Sequence, residues 1–569
     1  MSQNQAQSGG GAAAIPVSEV FWGLASKADK KFSKIRDIPY YQRARYDAYF
    51  RKVFKVYTHL WKFQQESRQK LVEAGLKRWE IGDIASRIGQ LYFGHYMRTS
   101  EASYLSECYI FYDAILTREY FKDSLHQDVN LAIKQLRLLS RFLTVSLLLN
   151  RRQMVYQLVN LLKVLLDECR ITFQETDFKE WKLVVQDVVR FLKVDTAFMN
   201  HRPLRYSIVL DLHPDSIPQV TCAKRKLRLR DALLCSYHPD EVKFSEFSID
   251  TFRMLQTIEW EPSGYFYQVN IPSPAEPASS GLGQNGVLGS SRVSQDMTDP
   301  TLPPNPRKVV LSQPSVTHLL AVLGTTCEEL PADGILLIYL SAPGFNVNCS
   351  SSPSHDENSR CRSVDDSECG AGSCLRIGSH RQAGMNQIYP SDILPFTRRP
   401  LFLIIDSDNS KSFMAMSGSE KGERVALLLS PAASIVYDRS FFTSFLASPL
   451  QSFILLLGLN GSNVEQDCYG KSEKLIQSSL AECGSLLASR EDDLDPVWAD
   501  VLTDPFLMRL VLRFVLCRAV LFQYSDKAEF QPACVPSLPE VVSPRSDFCV
   551  RMVTELLKSL NAGETKDVF

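Results

Sequence analysis

Ile335-Leu-Leu-Ile-Tyr-Leu340 is an unbroken apolar run, closed in front by Asp333-Gly334 and behind by Ser341-Ala-Pro-Gly344. A run this short, bounded by turn residues, reads as a strand covered on both faces, as in the interior of a parallel sheet. Val309–Leu311, Leu401–Ile405 and Val425–Leu429 have the same character. Helical stretches lie around them at Val316–Leu330 and Phe441–Leu459, and three more follow at Ser472–Leu487, Pro505–Tyr524 and Phe548–Leu560. This alternation predicts a small parallel-sheet α/β module with C-terminal helices over residues 307–569. A polar stretch at about 346–385 interrupts it and reads as a disordered insertion.

Upstream the grammar differs. Residues 262–306 are rich in Pro, Ser, Gly and Asn without apolar periodicity, and read as a disordered linker. Before that, Tyr46, Tyr49, Phe50, Val53, Phe54, Tyr57, Leu60 and Trp61 fall at helical steps. Further helices are expected around Ile81–Tyr92, Tyr104–Ile115, Leu131–Leu149, Met154–Ile171 and Trp181–Leu192. Ile88-Gly-Gln-Leu-Tyr92 loosely echoes a tetratricopeptide helix, although no clean repeat recurs. The expected fold class is therefore α plus α/β: an irregular, tetratricopeptide-like helical-repeat module over 16–261, after a disordered tail at 1–15. Stacked helical pairs present grooves suited to a partner's helix or extended segment. Two short strands, Tyr206–Leu212 and Lys226–Arg230, and a helix at Phe247–Trp260 are expected near its end.

Bulk properties narrow the function. The formal net charge is −1, which gives no long-range pull toward nucleic acid or acidic lipid, so direct nucleic-acid binding is not expected. The 14 cysteines are scattered; Cys108, Cys169 and Cys517 lie in apolar helical patterns, and Met1–Ala14 lacks an apolar signal core. These features fit a reducing compartment. Phe453–Leu459 falls far short of the roughly 20 residues a bilayer span needs, so no membrane contact is expected.

Each chemical motif has a plainer counterpart. Gly281-Leu-Gly-Gln-Asn-Gly286 matches the dinucleotide fingerprint, but no strand precedes it within the low-complexity stretch. Cys349, Cys361, Cys369 and Cys374, with His355 and His380, lack the tight Cys-x-x-Cys knuckles of structural zinc sites. Lys224–Arg230 has the composition of an import signal, but its alternation with Leu227 and Leu229 suits an amphipathic strand. Tyr40, Tyr41, Arg43, Arg45 and Tyr46 interleave aromatic and basic residues, as a single-strand nucleic-acid surface would, and equally as one helix with a core face and a solvated face.

Asp406-Ser-Asp-Asn-Ser410 is the most informative cluster, because Asp406 ends a predicted parallel strand, where open α/β sheets place their sites. The loop has the residue types of a metal-dependent phosphatase or nuclease, or of an Asp-x-Ser-x-Ser metal-adhesion loop. Either needs further ligands, and the acidic run Asp492, Asp493 and Asp495 follows no strand. The plain alternative is a strand-ending turn whose side chains satisfy free N–H groups. No catalytic, cofactor-binding or metal-binding residue is assigned, and no cofactor is expected.

Longer segments carry a family resemblance. They are Tyr46-Asp-Ala-Tyr-Phe50, Thr58-His-Leu-Trp-Lys-Phe63, Gly75-Leu-Lys-Arg-Trp-Glu-Ile-Gly82, Ile88-Gly-Gln-Leu-Tyr92, Arg98-Thr-Ser-Glu101, Phe244-Ser-Glu246 with Phe252-Arg-Met-Leu-Gln256, Leu336-Leu-Ile-Tyr-Leu-Ser-Ala342 and Pro395-Phe-Thr-Arg-Arg-Pro-Leu-Phe402. In these the chain resembles the SCAI family (suppressor of cancer cell invasion) from about Ile38 to Leu560, the two polar stretches apart. The resemblance implies a nuclear, partly cytoplasmic, non-enzymatic protein-interaction factor. It implies a transcriptional corepressor of myocardin-related coactivators at serum response factor, restraining Rho-driven gene expression and cell migration. It further implies partners among chromatin and DNA-repair factors and a role at double-strand breaks.

Overall fold

The computed structural model describes residues 16–122, 128–149, 151–173, 178–196, 218, 220–238, 248–260, 302–346, 373–378, 386–416, 425–434, 440–459, 464–489 and 493–560. The chain divides into two compact units, Met1–His95 with Glu107–Gln135, and Tyr96–Ser106 with Leu136–Phe569.

The first unit is helical. It holds α1 (Val17–Arg36), α2 (Arg43–Glu66), α3 (Arg68–Glu73), most of α4 (Arg78–Thr99) and of α5 (Ala102–Thr117), and the start of α6 (Val129–Leu148). Of the stripe read from sequence, helix α2 buries Tyr46, Phe50, Val53, Tyr57 and Leu60, while Tyr49, Phe54 and Trp61 are half-buried. Tyr46 and Phe50 both stack on His95, so the interleaved Tyr40–Tyr46 segment spends its last aromatic on the core. Gly89 has a structural reason: a Cβ there would stand 2.6 Å from the Tyr112 ring, so only glycine lets α5 lie this close to α4. Tetratricopeptide-like repeats are not confirmed. The first five helices run to 20, 24, 6, 22 and 16 residues, and no fixed unit relates them.

The second unit continues with α7 (Arg152–Thr172) and α8 (Lys179–Thr196), then builds the sheet. Its elements are β1 (Arg228–Ser236), α9 (Ile249–Ile258), β2 (Arg307–Ser312), α10 (Val316–Glu329), β3 (Gly334–Ser341), β4 (Gly344–Asn346), β5 (Ser373–Arg376), β6 (Gln387–Ile388), β7 (Leu401–Asp406) and β8 (Ala426–Leu429). Then come α11 (Phe441–Ala447), α12 (Pro449–Leu456), α13 (Gln466–Ser489), α14 (Pro496–Val501), α15 (Pro505–Tyr524), β9 (Ala533–Val535) and α16 (Asp547–Ser559). The main sheet has the order β2-β1-β3-β7-β8-β9, parallel except for β9 at the edge. Every residue of β3 and of β7 is buried, as their unbroken apolar runs require.

Three expectations need correction. The strand at Lys226–Arg230 is longer and central: β1 pairs in parallel with both β2 and β3, so the sheet takes a strand from before residue 261. The stretch 262–306 is therefore no connector between a helical and a sheet module. The Trp260 backbone N–H donates to Asn305 Oδ1 at 2.8 Å and its indole N–H to Pro303 O at 2.9 Å, so the chain leaves and re-enters at one place. Likewise, within 346–385, Ser373–Arg376 forms a strand between β4 and β6, and Asn346 pairs with Ser373. Finally, Phe441–Leu459 is two helices, because Pro449 starts a new one and drives Ser448 out of helical geometry. The strand expected at Tyr206–Leu212 lies outside the described residues.

A polar staple holds β1 to the buried helix α15. Asp504 caps α15, accepting from Phe506 and Leu507 N–H, and its other oxygen accepts from Leu229 N–H at 2.8 Å. Burial pushes this carboxyl above its ordinary range, against the pull of those N–H groups.

Candidate functional site

In a sheet that grows from β1 to β2 and then back past β1 to β3, the order of strand addition reverses between the parallel strands β1 and β3. The crevice at the carboxyl ends of these strands is where open α/β sheets bind ligands. Here that edge holds a cleft of about 220 Å³. Its lining comes from the ends of β1 (His238), β3 (Ala342, Pro343), β7 (Asp406, Ser407, Asp408) and β8 (Ser430–Ser434). Phe441 and Phe442 of α11 and Leu521 of α15 complete it.

The structure places Asp406 as the sequence does, as the last residue of β7, and gives it a structural task. Its Oδ2 accepts from the Thr443 backbone N–H at 3.2 Å and from the Thr443 hydroxyl at 2.5 Å. A buried carboxylate thereby holds the first turn of α11 against the sheet. The Tyr339 hydroxyl donates in turn to Thr443 Oγ1 at 2.8 Å; burial and the nearby Asp250 and Asp406 hold this phenol well above its usual pKa. Asp408 closes the loop. Its Oδ1 accepts from Gly344 N–H at 2.6 Å and from the Ser407 hydroxyl at 3.2 Å. The Asn409 amide donates to Cys374 O, and the Ser410 hydroxyl donates to Ser430 O at 2.6 Å. Asp-Ser-Asp-Asn-Ser is thus a turn that ties β7 to β8 and to the small sheet.

Neither reactive reading finds its remaining ligands among the described residues. Among the described residues no group of three or more His, Cys, Asp or Glu stands where it would hold a metal ion. Asp495 caps α14, accepting from Val497 N–H at 2.9 Å, and Asp492 lies outside the described residues. The motif Gly281–Gly286 and Cys349, Cys361, Cys369, His355 and His380 lie outside them too. Cys374 is buried in β5 with its thiol against Phe345 O, and burial raises its pKa. Along Lys224–Arg230, Arg225 is bound to Asp500 and Arg230 to Asp333, while Leu227 and Leu229 are buried. That is the amphipathic strand.

The sequence reading missed a second polar group at the same edge. Asp250, in the first turn of α9, accepts from the Ser440 hydroxyl and from Ser341 Oγ at 3.4 Å, and Arg253 lies 3.6 Å away. His238 Nε2 stands 3.0 Å from Ser341 Oγ and 3.8 Å from the Asp250 carboxylate. These residue types suggest a hydrolytic triad, but the geometry differs. A triad uses opposite ring nitrogens for nucleophile and acid, whereas here one nitrogen faces both.

Comparison with known proteins gives the family. The family model described as Protein SCAI matches residues 23–527. Protein SCAI of Mus musculus and of Homo sapiens are each 33% identical over 555 residues, covering 95% of this chain and 88% of theirs. The Protein SCAI homolog of Dictyostelium discoideum is 26% identical, covering 96% of this chain and 90% of its own. With a match over this much of its length, in both the helical unit and the sheet, the chain belongs to the SCAI family.

Proposed function

We propose that this protein is a non-enzymatic nuclear interaction factor. It acts as a transcriptional corepressor that restrains Rho- and serum-response-factor-type gene expression, and it also serves double-strand-break repair. What supports the reading is family membership together with one observation at the site: the most site-like carboxylates, Asp406 and Asp408, are engaged as struts by Thr443 and Gly344. The partners are proteins: coactivators of the myocardin-related type or their equivalents, and chromatin and repair factors. Packed helix pairs such as α1 and α2 of the helical unit suit the helical or extended segments such proteins present. The test is re-expression of the full chain in cells depleted of it, with a serum-response reporter and nuclear fractionation as readouts. Restored repression from a nuclear pool is expected. A protein that stays out of the nucleus, or that hydrolyses phosphate esters with added Mg²⁺ when purified, refutes the reading.

A further inference from the structure

We propose that the solvent face of α1 and α2 binds an extended acidic segment of a partner protein, a run of aspartate and glutamate. The inference rests on the reading of the partners as proteins, and names the chemistry by which the helical unit meets one of them.

Periodicity lays out the surface. On α2, Arg45, Ala48, Lys52, Lys55, His59 and Lys62 are all exposed. They follow one another at alternating steps of three and four residues, so they form one ridge along the helix. At about 1.5 Å per residue this ridge runs for about 25 Å. On α1, Lys27, Lys30 and Lys34 are exposed at the same steps. The two helices pack together, and the Lys31 ammonium lies 5.4 Å from the centroid of the Tyr49 ring. Lys31 has Lys27 and Lys34 one turn to either side, and Tyr49 has Arg45 and Lys52, so the two basic ridges flank one seam.

Charge gives the surface its sign. Across α1–α3 lysine and arginine outnumber aspartate and glutamate by roughly two to one, while the whole chain carries −1, so the excess is local. Among the described residues no carboxylate pairs with Lys27, Lys30, Lys34, Lys52, Lys55 or Lys62. Acids of this layer are engaged elsewhere: Asp29 accepts from Tyr57 and Arg87, and Asp37 pairs with Arg36 at the end of α1. Lys27 and Lys31, Lys30 and Lys34, and Arg51 and Lys55 stand four residues apart, where like charges on a helix repel. A helix face that merely meets water relieves such repulsion by alternating signs. This face keeps the repulsion, and a polyanion laid along it would remove it.

What accompanies the charges selects the polyanion. The α2 ridge carries no large apolar side chain and no Phe, Tyr or Trp, and Tyr46, Phe50 and Tyr57 of that helix are buried. The ridge gives the bases of a single strand little to stack on and a bilayer little to insert. A duplex is a long polyanion, and the acidic balance of the remaining chain repels it. A short acidic segment needs the ridge alone. At about 3.3 Å per residue, roughly seven or eight extended residues match its length.

The experiment uses the purified full chain and fluorescein-labelled blocked octapeptides, all glutamate or all glutamine, read by fluorescence anisotropy at low and at physiological salt. A short duplex, a short single strand and phosphatidylserine-containing vesicles serve as competitors at equal charge. The glutamate peptide should bind, more weakly at the higher salt, and the glutamine peptide should not. Lys52→Gln with Lys55→Gln should weaken binding about tenfold, since two exposed pairs are lost together. The same variant should keep or raise the thermal transition, because like-charge repulsion falls. Lys224→Gln with Lys226→Gln, exposed ahead of β1, should leave binding unchanged. Equal binding of the two peptides overturns the proposal, as does an equal loss in the Lys52 and Lys224 variants. A duplex, single strand or vesicle that displaces the peptide more readily than unlabelled glutamate peptide does also overturns it. Peptide binding is measured without cells. Its failure alongside restored repression refutes this inference alone, and the reverse outcome refutes the corepressor reading alone.

Discussion

Lys308 offers the most demanding test of the energetic reasoning. It lies in the edge strand β2, yet its side chain is 0% exposed. Its ammonium pairs with Glu259, donates to Ser100 Oγ at 2.8 Å, and sits 3.8 Å from the centroid of the Tyr96 ring. Glu259 also accepts from the Tyr96 hydroxyl at 2.6 Å, and Ser100 donates to Pro306 O at 2.6 Å. Every group in this buried cluster has a partner, and within the second unit it ties Tyr96 and Ser100 to Glu259 and to β2. Lys308→Met removes one charge and leaves the Glu259 carboxylate buried. Breaking a buried pair from one side costs about 3–5 kcal/mol. Because Tyr96 still donates to Glu259, the cost here should lie near the low end, about 3 kcal/mol. Lys308→Met with Glu259→Gln removes both charges and keeps an acceptor for Tyr96, and should recover about 2 kcal/mol of that loss.

The assay is urea unfolding followed by near-ultraviolet circular dichroism, with the two units fitted as separate transitions because a chain of this size need not unfold in one step. With a slope of about 3 kcal/mol/M, the single variant should move the sheet transition down by about 1 M. The double variant should return most of the way. A single variant costing under about 1 kcal/mol, or a double variant no better than the single, would refute the account of a desolvated charge as the source of the penalty.

Two other outcomes follow from local geometry. Replacing residues 264–299 by about ten Gly and Ser residues should leave the fold intact and stabilise it by about 1 kcal/mol through a shorter loop, since Trp260 and Asn305 already touch; a thermal transition that drops or broadens would mean the stretch is structural. Gly89→Ala should destabilise the helical unit by about 1–3 kcal/mol through overpacking against Tyr112, against the usual gain of about 1 kcal/mol for alanine in a helix, so a raised urea midpoint would contradict that contact.

The parts of the fold that could be read from sequence were those whose burial is uniform. β3 and β7 are covered on both faces, so every residue reports the same environment. β1 was half-hidden, because Asp231 interrupts its apolar run. That aspartate is buried opposite Arg307 of β2, which donates to it at 2.8 Å, so a cross-strand pair answers its charge. No window along the chain contains both partners. Helix α1 was missed for a different reason: its core contact rests on Phe21, Ala28 and Ile35, too thin a stripe to stand out among lysines. β9 is three residues long next to a proline, below any periodicity signal.

At the site the difficulty is of another kind. A carboxylate at the end of a buried strand is the residue type a phosphoryl-transfer site needs, and also the type that holds the N-terminal turn of a helix. The sequence around Asp406 is the same in both cases. What separates them is Thr443, which no spacing rule links to Asp406. His238 was within reach of reasoning. Ser236 and Ser341 are partners in register, and Ser341 is the partner of Asp406. Had β1 been followed to Ser236, His238, just past its end, would have had to emerge at the edge that carries Ser341 and Asp406. The strand order then does what the motif could not. It places a histidine, two serines and two carboxylates at one sheet edge, and leaves only their hydrogen-bond partners to decide whether that edge reacts or holds.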